Sequence, residues 1–391
     1  MDCKIGIGLL GCGTVGASVA QRLLSERDAI ERRAGVRYEL QAIAIANPSK
    51  ARHASLDPAL FTTDARAVID DPRVDLIVEA IGGTQVASEL LEYALERGRT
   101  VVTANKDLIA TQGPRLFALA HSRGARLRYE AASCGAIPVI RVLDDALAGD
   151  RVQAFGGVVN GTCTYILSQM ERGEEYEVAL ARAQELGFAE VDPSSDVEGL
   201  DATHKLALLM QLAFQMAVIS PRLRRSGITG VTKRDVARAH MLGYRIRLVA
   251  AATRNGSAAR GEVAPVLVPE AHPFAAASGP ENVVRIFSRD AGPLLLSGVG
   301  AGGFPTASSV LGDVVTALRD IANQRAVHYP ALDPALDIEP LFADLPRHPE
   351  LPRYPLWDDS ILESERNLNL NECHARSFDT VFRHARDSRG A

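Results

Sequence analysis

Six residues near the N-terminus constrain this chain more than any others: Gly11-Cys12-Gly13-Thr14-Val15-Gly16. They follow a short apolar run, Lys4 to Leu10, and open a stretch, Val15 to Leu24, that reads as a helix. A glycine turn between a strand and a helix is the first half of a β-α-β unit. The first glycine permits the tight turn and the second lets backbone amides approach a pyrophosphate. The third lets the helix pack closely on the sheet, and the helix N-terminus favours negative charge. Gly11, Gly13, Thr14, Val15 and Gly16 are therefore candidate dinucleotide-binding positions. In such motifs an Asp or Glu ending the second strand holds the ribose 2′-hydroxyl. Here the second strand, Leu40 to Ala46, runs into Asn47-Pro48-Ser49-Lys50-Ala51-Arg52. Neutral Asn47 with cationic Lys50 and Arg52 suits a 2′-phosphate, so NADP(H) is favoured over NAD(H). The plainer reading leaves Lys50 and Arg52 as solvated surface residues.

The alternation continues. Asp75 to Ala80 and Thr100 to Thr103 read as short strands, with a helix from Ser88 to Arg97 between them, stopped by Gly98. Repeated β-α alternation predicts an α/β fold that begins with a Rossmann-like, doubly wound parallel sheet. The texture changes after Pro138. The pattern predicts a helix over 139–147, a strand over 152–159 ending at Asn160-Gly161, and a helix over 176–186. A long helix is expected over 198–218, opened by a Ser195-x-x-Glu198 capping box. Strands are expected over 246–253 and 263–268, the second held to a sheet edge by Pro265. A glycine-rich stretch over 292–306 leads into a helix over 307–325. Seven of the twenty prolines fall between Pro330 and Pro355, so the tail reads as an irregular wrap or a partly disordered segment.

Composition narrows the classes. The chain has 391 residues, enough for two or three domains, with 47% hydrophobic and 23% charged residues, an ordinary globular balance. The net charge of −5 offers no basic field for nucleic acid or an anionic membrane. The longest apolar stretch, Leu206 to Ile219, is interrupted by Gln211 and Gln215 and falls short of the ~20 residues of a membrane span. The five cysteines are odd in number and lack metal-ligand spacing. Reduced thiols and a cytoplasmic location are the expectation.

The chemistry concentrates in the second half. Glu190, Asp192, Asp196, Glu198 and Asp201 crowd a stretch that ends in His204-Lys205. Asp201 and Lys205 are four apart, on one face of a helix whose Leu206, Leu209 and Ala213 suggest burial. A lysine beside a carboxylate can bind a carbonyl oxygen or pass a proton. The alternative is an ordinary surface ion pair. The acids ahead of it favour a site, because they offer a grip for a cationic substrate group. Lys106, in Thr103-Ala104-Asn105-Lys106, follows a strand at its carboxyl end, where open α/β sheets bind ligands. Its plainer reading is a solvated loop lysine.

Taken together, GLLGCGTVG (8–16), VVTANKDLIA (101–110), YEAASCGAIPVI (129–140), GVVNGTCTYIL (157–167), LGFAEVDPSSDVEGLDATHKLALL (186–209), GITGVTKRDVARAHMLGYRIRLVA (227–250) and GVGAGGFPTASSVLGDVV (298–315) resemble the homoserine dehydrogenase family. The resemblance implies NAD(P)H-dependent reduction of L-aspartate 4-semialdehyde to L-homoserine, on the route to threonine, methionine and isoleucine. It implies a Rossmann-like nucleotide domain over 1–138, joined by a helix at about 306–326 that packs back on it. It also implies a substrate-binding and dimerisation domain over 139–305. Lys205 matches the proton donor, Asp201 and Glu190 substrate ligands, and Lys106 a second lysine of the site, beside the cofactor. Asp196, Asn160 and Gly161 join the expected substrate set, and Gly187 and Gly302 lie near the nicotinamide. Main-chain oxygens at Glu130, Ser133, Gly135 and Ile137 match a structural monovalent cation site, commonly sodium. A homodimer is expected, acting on a small molecule and not on nucleic acid or a membrane.

Departures are confined to details and to the tail. Residues 327–391 form an atypical proline-rich segment without the βαββαβ pattern of a threonine-sensing ACT domain. Gly303 stands where the family often has an acid, Cys163 where it has threonine, and Ser133 where it often has an apolar residue. Two other readings remain at this stage. One is a non-catalytic NAD(P)-binding homologue or sensor; the other is a thiol-dependent aldehyde dehydrogenase using Cys134 as nucleophile.

Overall fold

The computed structural model describes residues 4–50, 56–256, 258–325, 332 and 338–363. The first unit is built from β1 (Ile5–Leu10), α1 (Thr14–Ser25), α2 (Arg27–Ala34), β2 (Tyr38–Ala44), β3 (Phe61–Thr62), α3 (Ala65–Asp70), β4 (Leu76–Glu79), α4 (Gln85–Glu96), β5 (Thr100–Thr103), α5 (Lys106–Arg123) and β6 (Leu127–Arg128). Its strands are all parallel, in the order β3-β2-β1-β4-β5-β6. The order reverses direction between β1 and β4, which opens a crevice at the carboxyl ends of the strands. All six residues of β1 and all four of β4 and of β5 are buried, as helices on both faces of a parallel sheet require.

The second unit contains α6 (Val139–Arg141), β7 (Val152–Val158), α7 (Gly161–Glu171), α8 (Tyr176–Glu185), α9 (Ser194–Val197), α10 (Leu200–Phe214), β8 (Arg224–Arg225), α11 (Lys233–Met241), β9 (Tyr244–Asn255), β10 (Ala258–Pro269), α12 (Pro273–Ala276), β11 (Glu281–Ser288) and β12 (Gly292–Val299). Its sheet runs β12-β11-β7-β9-β10-β13, with β13 at Ile338–Glu339 and β8 also paired to β10. The five long strands are antiparallel to their neighbours. Alternation along β9 divides the layers: Ile246, Leu248, Ala250 and Ala252 pack toward α10, while Val249 and Ala251 face the other way. The chain then returns through α13 (Gly303–Ala322), which buries Ala307, Val310, Leu311, Val314, Ala317 and Leu318 with the core of the first sheet.

Several expectations need correction. The helix expected over 198–218 is two pieces, α9 and α10, and Ser195 and Glu198 form no capping box. Gly199 adopts φ +81° between them, where a non-glycine residue would be strained. The segment 226–228 is pressed against this turn: a Cβ on Gly227 would collide with the carbonyl oxygen of Val197, and the Ile228 amide donates to that oxygen at 2.7 Å. The helix also ends early, at Phe214, because Gln215 turns left-handed at φ 52°. The helix over 139–147 narrows to α6 followed by a π-turn, Val142–Ala146. Pro265 lies within a twelve-residue strand paired along its whole length with β9. On the other flank it falls in a gap between short pairings at 259–260, 262–263 and 267, so its missing N–H costs little.

The described part of the tail is an ordered strap. Residues 338–363, with a small hairpin of β14 (Arg347–His348) and β15 (Leu351–Pro355) and the short α14 (Ser360–Glu363), cover the face of the second sheet opposite α10. Leu341, Phe342, Trp357 and Leu362 are buried there with Val158, Val249, Ala251, Phe274 and Phe287. Trp357, the single tryptophan of the chain, stacks among Phe274, Phe342 and His272. It needs a glycine beneath it, for a Cβ on Gly156 in β7 would sit 2.8 Å from the indole. His272 and Arg285 both pair with Asp359, and Tyr354 donates to Asp235 at 2.9 Å. A Trp357→Ala substitution should destabilise the second unit by about 3–5 kcal/mol, read as a lower urea midpoint. An unchanged midpoint would mean that the strap does not contribute to the core.

Candidate active site

Two helices from different units meet at one carboxylate. Asn105 ends the β5 turn and caps α5, its Oδ1 accepting from the Leu108 amide at 3.1 Å. Lys106 is thereby the first residue of α5, at the carboxyl end of the first sheet. Asp201 stands in the first turn of α10, where the helix dipole favours an acid. Lys106 Nζ lies 2.5 Å from Asp201 Oδ1, and Lys205 Nζ lies 2.8 Å from Asp201 Oδ2. The same Lys205 donates to the Val159 carbonyl at 2.6 Å. Asp201 and Lys205 are 2% and 8% exposed, so the pair is far from an ordinary surface contact. Beside it His204 Nδ1 is 2.7 Å from Asp107 Oδ1, a second tie between α10 and α5.

The electrostatics are one carboxylate shared by two ammonium groups. Burial works against the charge of Asp201, but Lys205 and Lys106 override it and hold the carboxyl far below the usual carboxylate range. Burial likewise pulls Lys106 down, and Asp201 reverses this and holds the ammonium above its ordinary value. An ammonium has three donors. Lys205 spends two, on Asp201 and Val159, and retains one. The cluster therefore holds an ammonium with an available donor, which suits an oxygen that becomes negative.

Asn160, at the end of β7, extends the network. Its Nδ2 donates to Asp201 Oδ2 at 2.8 Å and Asp196 Oδ1 at 2.7 Å, while its Oδ1 caps α7 at the Cys163 amide. Thr162 Oγ1 donates to Asp196 Oδ2 at 3.0 Å. Burial, then the nearby Asp201, pushes the Asp196 carboxyl up. Asp196 and Asn160 thus touch the cluster with their polar atoms already engaged, and Gly161 lies beneath Pro280. Glu190 is not brought to the cluster: it is exposed on the loop after α8, next to Val191, which is 97% exposed. Sequence reasoning passed over Val159, which acts through its backbone, and Asp107, whose adjacency to Lys106 was the only available signal.

The glycine turn fits a dinucleotide. A Cβ on Gly11 would lie 2.5 Å from the Ala80 carbonyl oxygen, and one on Gly16 would strike the Gly11 carbonyl, so both are demanded by packing. A Cβ on Gly13 would meet nothing within 4 Å. Its backbone faces open space, as a position reserved for phosphate approach would. Gly13 gives α1 no side-chain cap, so the first amides of that helix, over Thr14 and Val15, are left for a ligand. Gly303, beside Gly302, lies against Thr14 and Ser18, which brings Gly302 next to the turn. Gly187 follows α8 with nothing within 4 Å of its Cβ position. Asn47 and Lys50 are exposed beyond β2, and Arg52 lies outside the described residues.

The segment between the units curls tightly. Cys134 and Gly135 are both left-handed, at φ 55° and 58°, and the Gly135 carbonyl accepts from Ser309 at 2.7 Å. Glu130 accepts from the Ile140 and Arg141 amides, and its own amide donates to Asp313 at 2.7 Å. Burial and the nearby Asp313 push the Glu130 carboxyl up to about 7. Cys134 is fully buried, and burial raises its thiol. A nucleophilic cysteine needs an accessible thiolate, so this geometry disfavours the thiol-dependent reading.

Two family models match the chain: one described as homoserine dehydrogenase, NAD binding domain, over residues 11–130, and one described as homoserine dehydrogenase over 138–315. The chain is 39% identical to the homoserine dehydrogenase of Bacillus subtilis over 81% of its length and 73% of the relative's. It is 41% identical to that of Corynebacterium glutamicum, over 81% of this chain and 72% of the relative. It also superposes on a homoserine dehydrogenase from Thiobacillus denitrificans with a TM-score of 0.82, at 39% identity, covering 87% of this chain and 80% of the other. No described helix is long and apolar enough to cross a membrane.

Asp201→Asn should cost about 3 kcal/mol or more, because it leaves two ammonium groups without their shared counter-charge. The sign of the pH dependence follows from a depressed folded-state pKa. The carboxylate's contribution is present above the ordinary carboxylate pKa of about 4 and is lost as pH falls toward the depressed value. The stability gap between wild type and variant, measured by urea unfolding, should therefore be constant at neutral pH and shrink in acid. A gap that widened as pH fell would contradict this assignment.

Proposed function

The chain belongs to the homoserine dehydrogenase family and is an NAD(P)-dependent oxidoreductase, and we propose that the Lys106–Asp201–Lys205 cluster is its catalytic centre. The observation that carries this reading is one buried carboxylate holding two lysines at the mouth of the nucleotide crevice. The bound nicotinamide supplies the hydride that reduces L-aspartate 4-semialdehyde to L-homoserine. Lys205 directs its remaining donor at the aldehyde oxygen, stabilises the negative charge that grows there and delivers the proton. Asp201 holds the Lys106 ammonium above its ordinary value and fixes the geometry of both lysines. Lys106, part-exposed at the crevice, offsets the substrate carboxylate, and Glu190 on its exposed loop takes the substrate ammonium. Asn160 holds Asp201 in place and links it to Asp196, with Gly161 beside them.

We assign nucleotide binding to residues 1–138 with the returning helix at about 306–326, and substrate binding to 139–305. Gly11, Gly13, Thr14, Val15 and Gly16 receive the pyrophosphate, with Gly187 and Gly302 near the nicotinamide. Asn47, Lys50 and Arg52 favour NADP(H), because cations and a neutral amide accept a 2′-phosphate that an acid would repel. The main-chain oxygens of Glu130, Ser133, Gly135 and Ile137 suit a monovalent cation such as sodium. Each carbonyl has two lone pairs, so the Gly135 oxygen keeps one beside its bond to Ser309. Asn282, buried under Gly300 against this curl, leaves both amide atoms unpaired, which adds spare polar capacity. The working form is proposed to be a homodimer in the cytoplasm.

The test is loss of reduced-nicotinamide absorbance with aspartate semialdehyde, using NADPH and NADH in parallel. Lys205→Ala should lower kcat at least about a hundredfold while leaving NADPH affinity nearly intact; a matching loss of cofactor binding would make Lys205 a nucleotide ligand instead. Asn47→Asp should shift preference toward NADH, and wild-type protein that oxidises NADH as fast as NADPH would sink the phosphate argument. A folded protein that binds nucleotide but turns over neither cofactor would favour the non-catalytic homologue.

A further inference from the structure

Glu79 is a carboxylate that the proposed chemistry does not use, yet it is 0% exposed at the carboxyl end of β4. A charge there is expensive to bury unless its oxygens are fully engaged. Here they close a ring. Glu79 Oε1 accepts from the Ile81 amide at 2.7 Å, and Oε2 accepts from the Thr103 hydroxyl. Thr103 Oγ1 accepts in turn from the Asn105 amide at 3.0 Å. The Asn105 side chain donates to the Gly83 carbonyl at 2.6 Å, and its Oδ1 caps α5. The ring thus joins the loop after β4, residues 80–83, to the turn after β5 that presents Lys106. One side of that loop is fixed already, because the Ala80 carbonyl backs onto Gly11.

We propose that Glu79 is a positioning residue for the reaction: its buried carboxylate locks the start of α5 to the loop behind the glycine turn, so that Lys106 meets Asp201 in register with the bound cofactor. The proposal rests on the role given to Lys106 above. Both acceptor oxygens are needed. Glu79→Gln cannot keep both links as they are: with its oxygen on the Thr103 hydroxyl, its amide nitrogen faces the Ile81 N–H, donor against donor, and turned over it leaves the Thr103 hydrogen without its acceptor. The fold has no comparable dependence, since the β4 and β5 backbones pair independently of the side chain.

The experiment is a double-mutant cycle on the full chain with NADPH and aspartate semialdehyde. Glu79→Gln should lower kcat by about tenfold to a hundredfold with NADPH affinity little changed. In a Lys106→Ala background the same substitution should have almost no further effect, because the group it positions is gone. Thr103→Val, which removes the linking hydroxyl without changing shape, should reproduce the loss and stands in if Glu79→Gln does not fold. Full kcat in both single variants overturns the proposal. So does a loss that multiplies undiminished with Lys106→Ala, or a lower melting temperature with unchanged kcat per folded molecule. Lys106→Ala with full turnover would instead overturn the reading of Lys106 itself, and this proposal with it.

Discussion

A single buried carboxylate organises the cleft. Asp201 belongs to the second unit and Lys106 to the first, so their contact is both an electrostatic interaction and a tie between the units. Burying Asp201 alone would cost several kcal/mol, and two ammonium groups with an amide from Asn160 offset that cost. Asp201 in turn holds the Lys106 ammonium above its ordinary value. The His204–Asp107 pair, one residue along α5 and three along α10, reinforces the same crossing.

Much of this was legible in the chain. The glycine turn, the parallel alternation and the Asp201/Lys205 spacing each follow from local rules, and the structure shows the strands, helix face and ion pair they imply. What was not legible depended on contacts between distant segments. The break at Gly199 is imposed by residues 226–228, which no local pattern connects to it. The strand at Glu281–Ser288 was not expected, and its place between β12 and β7 depends on pairing with residues far along the chain. Glu79 looked like one more polar residue in a strand, and only the neighbouring Thr103 turn gives it meaning. Asp196 and Asn160 stood in the expected substrate set, and in the structure Asn160 donates to both Asp196 and Asp201.

The two halves of the chain use their sheets differently. The first sheet leaves its carboxyl edge open, and both the glycine turn and Lys106 stand on that edge. The second sheet lends one face to α10, whose first turn presents Asp201. Its other face is an independent hydrophobic problem, solved by residues 338–363. Trp357, Phe342 and Leu362 of the strap pack on the face turned away from α10, while Leu351 and Tyr354 reach the core that α10 shares.

The strap's hold on the sheet constrains a distant position. Trp357 occupies space that any side chain at Gly156 would claim, and each is poorly tolerated without the other. With the strap in place, position 156 has no freedom to carry a β-carbon; without it, that freedom would return. The two positions, about two hundred residues apart, are expected to change together among relatives.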